Sequence, residues 1–287
     1  LKGFKRGEMM IKLLAIDIDG TLINFERPNI SKKVKNTVMA AKRLGVYVVL
    51  ISGRNYYSMK RYLEDLGIEE YGITTNGGIV LDLKTGKAII ENEMKKDIAL
   101  GVYKKLEEEN IPYSLFAGLN VYVSEKHRNQ PTIELLAKEK DNVIVVDDME
   151  KFILENKMNK FMFMDEDHTL DALRDYFEEK YGDCVNVEYG FEKHMEIYPK
   201  CLNKGMALEA LAEQLEIPMD EVMAIGDAEN DISMLEIAGI GVAMGNAIKN
   251  VKDHADYVTK SVDEDGVAYA IEKFIIKKCC NEDGEAV

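Results

Sequence analysis

The sequence predicts an α/β fold: a parallel sheet with crossover helices, interrupted by an inserted α+β unit. Three observations predict it. Short apolar runs of strand length alternate with helical stretches over the first 84 residues. From about residue 85 the strand candidates crowd together. After about residue 190 the first rhythm resumes. Strands alternating with helices favour a parallel sheet, because parallel neighbours need a crossover connection. The simplest reading is one domain built from residues 1–84 and 191–287, with residues 85–190 inserted.

The run Ile11-Lys-Leu-Leu-Ala-Ile16 is the first strand candidate, followed at once by Asp17-Ile-Asp-Gly-Thr21. Ser31 suits the cap of a helix in which Val34, Val38, Ala41 and Leu44 recur at helical spacing, ended by Gly45. Val46-Tyr-Val-Val-Leu-Ile51 is β-branched and continuous, as expected of a buried strand. A helix over Tyr56–Leu66, stopped at Gly67, and a strand over Gly72–Thr75 complete the first β-α-β-α-β run. In the insertion, strands are expected at Ala88–Glu91, Tyr113–Phe116, Asn120–Ser124, Val143–Val146 and Lys160–Met164, the second and third joined as a hairpin through Gly118. Helices are expected near 95–109, 131–140 and 167–180. Downstream come a helix from Lys204 to Leu215, strands at Val222–Ile225, Gly241–Met244 and Asp256–Thr259, and a last helix near 266–276. Residues 1–8 and 281–287 read as loose tails.

Composition narrows the function. The chain of 287 residues carries 37 Lys plus Arg against 52 Asp plus Glu, a net charge of -15. Binding a phosphate backbone or an anionic membrane needs the opposite surplus, so neither nucleic acid nor a membrane surface is an expected partner. No apolar run approaches the roughly 20 residues that span a bilayer, and the N-terminal residues lack a signal-peptide core. Cys184, Cys201, Cys279 and Cys280 have no CxxC spacing and read as reduced thiols of a cytoplasmic protein. The four histidines are scattered, which argues against a zinc site.

Asp17 and Asp19 lie at the carboxyl end of the first strand, the edge where open α/β sheets bind ligands. Two carboxylates so close repel unless a cation or a shared proton intervenes. With oxygen-only donors, Mg²⁺ is the natural cation. Two solvated aspartates in a turn would look the same. Gly226-Asp227-Ala-Glu-Asn230-Asp231 also follows an apolar strand and places Asp227 and Asp231 four residues apart, although acids at a helix start are favoured as caps anyway. Ser52 and Gly53, at another strand end, offer a hydroxyl and an open backbone N–H that suit a phosphate oxygen, or simply make a turn. Lys204 opens a helix, where a cation opposes the dipole. An anionic ligand would explain it, and a solvated lysine is the plain alternative.

Taken together, acid pair, hydroxyl, lysine and acid pair occur in that order, three of the four behind strands. The chain resembles a haloacid-dehalogenase (HAD) superfamily phosphatase of the Cof type, with a large cap inserted between the second and third motifs. The matching elements are Asp17-Ile-Asp-Gly-Thr21, Ser52-Gly53, Lys204-Gly205 and Gly226-Asp227-Ala-Glu-Asn230-Asp231, with Thr75-Asn-Gly-Gly78 and Gly241-Val-Ala-Met-Gly-Asn246 also similar. The resemblance spans about residues 10–276. It implies a Rossmann-like core with an inserted cap that closes over the site and selects substrate. It implies Asp17 as nucleophile, through an aspartyl-phosphate, and Asp19 as general acid and then base. Mg²⁺ would be held by the Asp17 carboxylate, the Asp19 backbone carbonyl and Asp227, with Asp231 orienting that shell. Ile18 and Gly53 N–H groups, Ser52, Lys204 and Asn230 would hold the phosphoryl group. Arg54 would meet substrate or pair on the surface. Asn203 stands where relatives often have a small residue.

The implied activity is hydrolysis of a small phosphorylated metabolite: a sugar, nucleotide or cofactor phosphate. Rivals are a phosphomutase of the same superfamily and a non-catalytic, receiver-like phosphate-binding protein. A dinucleotide-binding dehydrogenase is disfavoured, because no G-x-G-x-x-G follows the first strand. Within the insertion, Asn120, Tyr122, His127 and Arg128 read as a solvated hairpin end. Residues 85–190 hold 14 basic and 23 acidic residues, so the insertion is acidic in its own right. That excess repels long polyanions and tolerates a small phosphomonoester met by a cation and Lys204. No feature of the sequence encodes the oligomeric state.

Overall fold

A computed structural model describes residues 10–130, 133, 136, 142–165, 167–189 and 194–277. The expected tails, Cys279, Cys280 and nearly all of the helix near 131–140 lie outside the described residues. The chain divides into two compact units, residues 1–53, 60–89 and 203–287 in one and residues 54–59 and 90–202 in the other.

The first unit is built on an eight-stranded sheet. Its strands are β1 (Leu13–Ile16), β2 (Tyr47–Ile51), β3 (Tyr71–Thr74), β4 (Ile79–Asp82), β5 (Lys87–Glu91), β12 (Val222–Gly226), β13 (Ile240–Ala243) and β14 (Tyr257–Val258). They lie in the order β14-β13-β12-β1-β2-β3-β4-β5. Pairings from β14 through β3 are parallel, and β4 turns back antiparallel on β3. The central strands are buried on both faces, which is why they read as unbroken apolar runs. Register places Ile16 beside Leu50 on one side and Ile225 on the other. Residues just after β1, β2 and β12 therefore meet at one edge of the sheet.

Helix α1 (Lys32–Arg43) begins where Ser31 accepts a hydrogen bond from the Val34 N–H at 3.1 Å. It buries Val34, Val38 and Ala41. Leu44, expected on the same stripe, is exposed because the helix ends just before it and the chain leaves through Gly45. Helix α2 (Tyr56–Asp65) follows β2.

The second unit holds a six-stranded sheet: β6 (Tyr113–Ala117), β7 (Asn120–Ser124), β8 (Val143–Val146), β9 (Lys160–Met164), β10 (Val185–Tyr189) and β11 (His194–Pro199). The order is β10-β11-β9-β6-β7-β8, antiparallel except for the parallel pair β7 and β8. Helices α3 (Lys96–Glu108), α4 (Met149–Glu155) and α5 (Asp167–Tyr181) bury Val102, Leu106, Ile153 and Phe177 with Phe161, Phe163 and Ile197 of the sheet.

Two boundary expectations are corrected. The strand expected at Ala88–Glu91 inside the insertion is β5, and it extends the first sheet. Residues 194–199, expected to open the returning core, form β11, an interior strand of the six-stranded sheet. Both are short segments whose composition suits either sheet: β5 follows β4 back onto the first sheet, and β11 lies between β10 and β9. Among the described residues no helix is long and apolar enough to cross a membrane.

Candidate active site

Asp17 follows β1 and keeps its backbone N–H on the Ile225 carbonyl at 3.0 Å, so the ladder with β12 fixes where the side chain starts. The chain then folds tightly, with the Ile18 carbonyl accepting from the N–H groups of Thr21, Leu22 and Ile23. Gly20 has φ +81, and a Cβ there would stand 2.1 Å from Asp227 Oδ2. Glycine thus lets the β1 loop approach the β12 loop. Thr21, buried, closes the gap by donating its hydroxyl to Asp227 Oδ1 at 2.7 Å.

Asp231 ties the β12 loop together. Its Oδ2 accepts the N–H groups of Asp227 at 2.8 Å and Ala228 at 2.9 Å. Its Oδ1 accepts Lys204 Nζ at 2.5 Å, and the same ammonium reaches Asp17 Oδ1 at 2.6 Å. Lys204 opens helix α6 (Lys204–Gln214), whose cap is Asn203, accepting from the Met206 N–H at 2.8 Å. The helix is pinned to α7 (Ile232–Ile237) through a Gly205 N–H to Ser233 hydroxyl bond of 3.1 Å. Lys204 is 1% exposed, so its charge at a helix start is offset by two buried carboxylates.

Burial sets the electrostatics. It raises Asp17 well above the usual carboxylate range; Asp231 adds to the rise, Lys204 opposes it, and Asp227 and Asp19 raise it further. Burial likewise pushes Asp227 up to about 7, with the Thr21 hydrogen bond opposing and Asp231 assisting. For Lys204, burial works against the charge, but Asp17 and Asp231 outweigh it and hold the ammonium above its ordinary value. Asp17, Asp227 and Asp231 each bring a carboxylate oxygen within 4.8 Å of the others. Both Asp231 oxygens are spent on N–H donors and Lys204. Asp17 and Asp227 each keep one oxygen, Oδ2, without a hydrogen-bond partner among the described residues. A buried and a half-buried carboxylate with oxygens to spare fit a hard divalent cation. Asp19 is exposed, outside that triad of carboxylates, although its charge acts on both Asp17 and Asp227.

Ser52 is buried at the end of β2, its N–H on the Ile73 carbonyl and its own carbonyl on the Asn76 N–H, both at 3.0 Å. Gly53 abuts Asn76, whose Oδ1 would lie 2.9 Å from a Cβ at that position. Asn230 donates from Nδ2 to the same Asn76 Oδ1 at 3.1 Å.

A family model described as haloacid dehalogenase-like hydrolase matches residues 14–271. The chain belongs to that family. Among curated relatives of this HAD-like hydrolase, Phosphatase YwpJ of Bacillus subtilis is 32% identical, covering 92% of this chain and 100% of that protein. The 5-amino-6-(5-phospho-D-ribitylamino)uracil phosphatase YcsE of the same organism is 31% identical, covering 95% and 99%. Among solved structures, TM0651 from Thermotoga maritima superposes with a TM-score of 0.82 at 28% identity, over 92% of this chain and 97% of that one.

The first unit of this HAD-like hydrolase thus gathers Asp17, Lys204, Asp227 and Asp231 in one hydrogen-bonded cluster, and Ser52, Gly53 and Asn230 around Asn76. Arg54 sorts with the second unit. In that unit the expectation of a solvated hairpin end fails for His127, which is buried, edge-on to Tyr113 at 5.2 Å, with Nε2 3.3 Å from Glu107. Burial lowers its pKa. Arg128 pairs with Glu125 at 2.6 Å on the surface, as expected of that end. Sequence reasoning missed the roles of Thr21, Asn76 and Asn246. Asn246 donates to the Gly20 carbonyl at 2.8 Å and accepts from the Val262 N–H at 2.9 Å, bracing the β1 loop. All three stand inside motifs that resembled the family. That resemblance was their only signal.

Proposed function

We propose that this HAD-family phosphatase hydrolyses small phosphomonoesters with Mg²⁺, through a phosphorylated Asp17. The observation that carries the reading is the buried Lys204–Asp17–Asp231 triad, with Asp227 adjoining, at the carboxyl edge of a parallel sheet.

Lys204 holds one Asp17 oxygen and favours the ionised carboxylate, which is the nucleophilic form. An Asp17 oxygen attacks phosphorus, an O–P bond forms, and the bond to the leaving alcohol breaks. Asp19, exposed beside it, gives that alkoxide a proton. The ionised Asp19 then takes a proton from water as the water oxygen attacks phosphorus. Inorganic phosphate leaves and the Asp17 carboxylate is restored. Ser52, the N–H groups of Ile18 and Gly53, Lys204 and Asn230 position the phosphoryl oxygens, as suits a reaction that depends on positioning and charge neutralisation. Asp17, the Asp19 carbonyl and Asp227 would hold Mg²⁺, with Asp231 orienting Asp227 through its backbone. When bound, the ion would neutralise charge on the phosphoryl oxygens.

Relatives named as phosphatases of a phosphorylated ribitylaminouracil support a small metabolite as substrate. This reading assigns substrate selection to the second unit. The test is a panel of phosphorylated metabolites with Mg²⁺, with and without EDTA. Mg²⁺-dependent release of inorganic phosphate is expected. Transfer between sugar positions without net release would replace hydrolase by mutase.

A further inference from the structure

The roles above leave out Asn76. After β3 the chain makes a left-handed turn, with φ 51 at Thr75, 56 at Asn76 and 95 at Gly77. A β-branched residue in that region is an outlier. Such conformations persist only where the surroundings over-determine them, and they gather at ligand sites.

What surrounds this turn is the proposed phosphate-holding set. The Asn76 N–H donates to the Ser52 carbonyl at 3.0 Å. Its Oδ1 accepts from Asn230 Nδ2 at 3.1 Å. Gly53 packs so closely that an added Cβ would lie 2.9 Å from Asn76 Oδ1 and 3.4 Å from its Nδ2. The residue is 4% exposed, its Oδ1 is used by Asn230, and Nδ2 is not among the fully buried atoms that lack a partner, so the amide donor stays open to a group from outside the chain. An amide donor on a side chain held this firmly is pre-positioned for an acceptor oxygen that arrives from outside the chain. Three residues assigned to the phosphoryl group thus converge on one amide whose donor points beside Gly53.

We propose that Asn76 is a further phosphate-binding residue: Nδ2 donates to a phosphoryl oxygen held at Ser52 and Gly53, while Oδ1 fixes Asn230. The inference rests on the phosphatase reading of the Asp17 site. Two variants separate binding from folding. Asn76→Gly removes the amide and suits a left-handed residue. Asn76→Asp keeps the shape and tolerates positive φ but exchanges the donor for an anion.

The affinity of inorganic phosphate, measured by titration calorimetry with Mg²⁺ present, is expected to fall about 10- to 100-fold in Asn76→Gly, and further in Asn76→Asp. The value of kcat/KM should fall in parallel, with the thermal midpoint of Asn76→Gly within about 3 °C of wild type. Phosphate affinity within twofold of wild type in both variants overturns the inference. So does an activity loss that tracks a drop in thermal midpoint while phosphate affinity stays unchanged. Asp17→Asn, run alongside, reads the nucleophile separately. Its full activity would remove Asp17 from the mechanism and leave the phosphate affinities of the Asn76 variants as informative as before.

Discussion

Lys204 illustrates how a residue that looks wrong locally is right in its fold. A cation at the start of a helix opposes the macrodipole, and full burial adds desolvation. Two carboxylates at 2.5 and 2.6 Å reverse the balance. Removing one partner of a buried ionic group leaves the others uncompensated, so Lys204→Met should destabilise the protein by about 3–5 kcal/mol in denaturant unfolding. A change under about 1 kcal/mol would show that the triad contributes little. Asp19→Asn should slow turnover roughly 100- to 10,000-fold with the fold intact, and an unchanged rate would reassign the proton transfer. That Asp17, Ser52 and Asp227 lie at strand ends and Lys204 at a helix start was legible, because those places expose anomalies in the local pattern. Thr21 was not, because its partner lies 206 positions away and nothing local announces a hydroxyl-to-carboxylate bond. Asn76 was hidden for another reason: its left-handed turn contains a threonine and an asparagine, where propensity expects glycine.

Loops and strands carry the next level. The β1 loop reaches the β12 loop because Gly20 has neither a Cβ nor a penalty for positive φ. Gly20→Ala should push the Asp227 carboxylate aside and weaken divalent-cation affinity at least tenfold, readable by titration calorimetry. Wild-type affinity in that variant would mean the loop has room that the geometry denies. Ser31→Ala should cost about 1 kcal/mol of stability through the lost α1 cap and leave kcat/KM unchanged, since the cap is remote from the acid cluster. The alternation of strands and helices, the α1 cap and the β6–β7 hairpin were readable from short-range chemistry. The sheet membership of β5 and β11 was not. A segment such as His194–Pro199 has the same pattern whichever sheet receives it, and only the pairing with β10 and β9 decides.

At the scale of the molecule the net charge of -15 divides unevenly between an acidic insertion and a core whose excess lies largely in Asp17, Asp19, Asp227 and Asp231. Two of them, Asp17 and Asp227, couple stability to pH and, on the proposed reading, to metal. Asp17 and Asp227 have raised folded values, Asp227 at about 7. A carboxylate raised in this way keeps its proton in the folded state while the unfolded chain releases it. Metal-free stability therefore falls as pH rises from the ordinary carboxylate range, about 4, through about 7. A divalent cation binds the ionised form. Calorimetric scans should thus show Mg²⁺ raising the thermal midpoint more at pH 8 than at pH 5.5. An equal rise at both would detach the ion from these carboxylates. Phosphorylation of Asp17 is read most directly by rapid quenching during turnover followed by borohydride reduction. An aspartyl-phosphate is reduced to homoserine, which peptide mass spectrometry should locate at position 17 in the wild type with Mg²⁺ and substrate, and nowhere without substrate. Phosphate release continuing with Asp17 unmodified, or the label at another residue, would contradict the account.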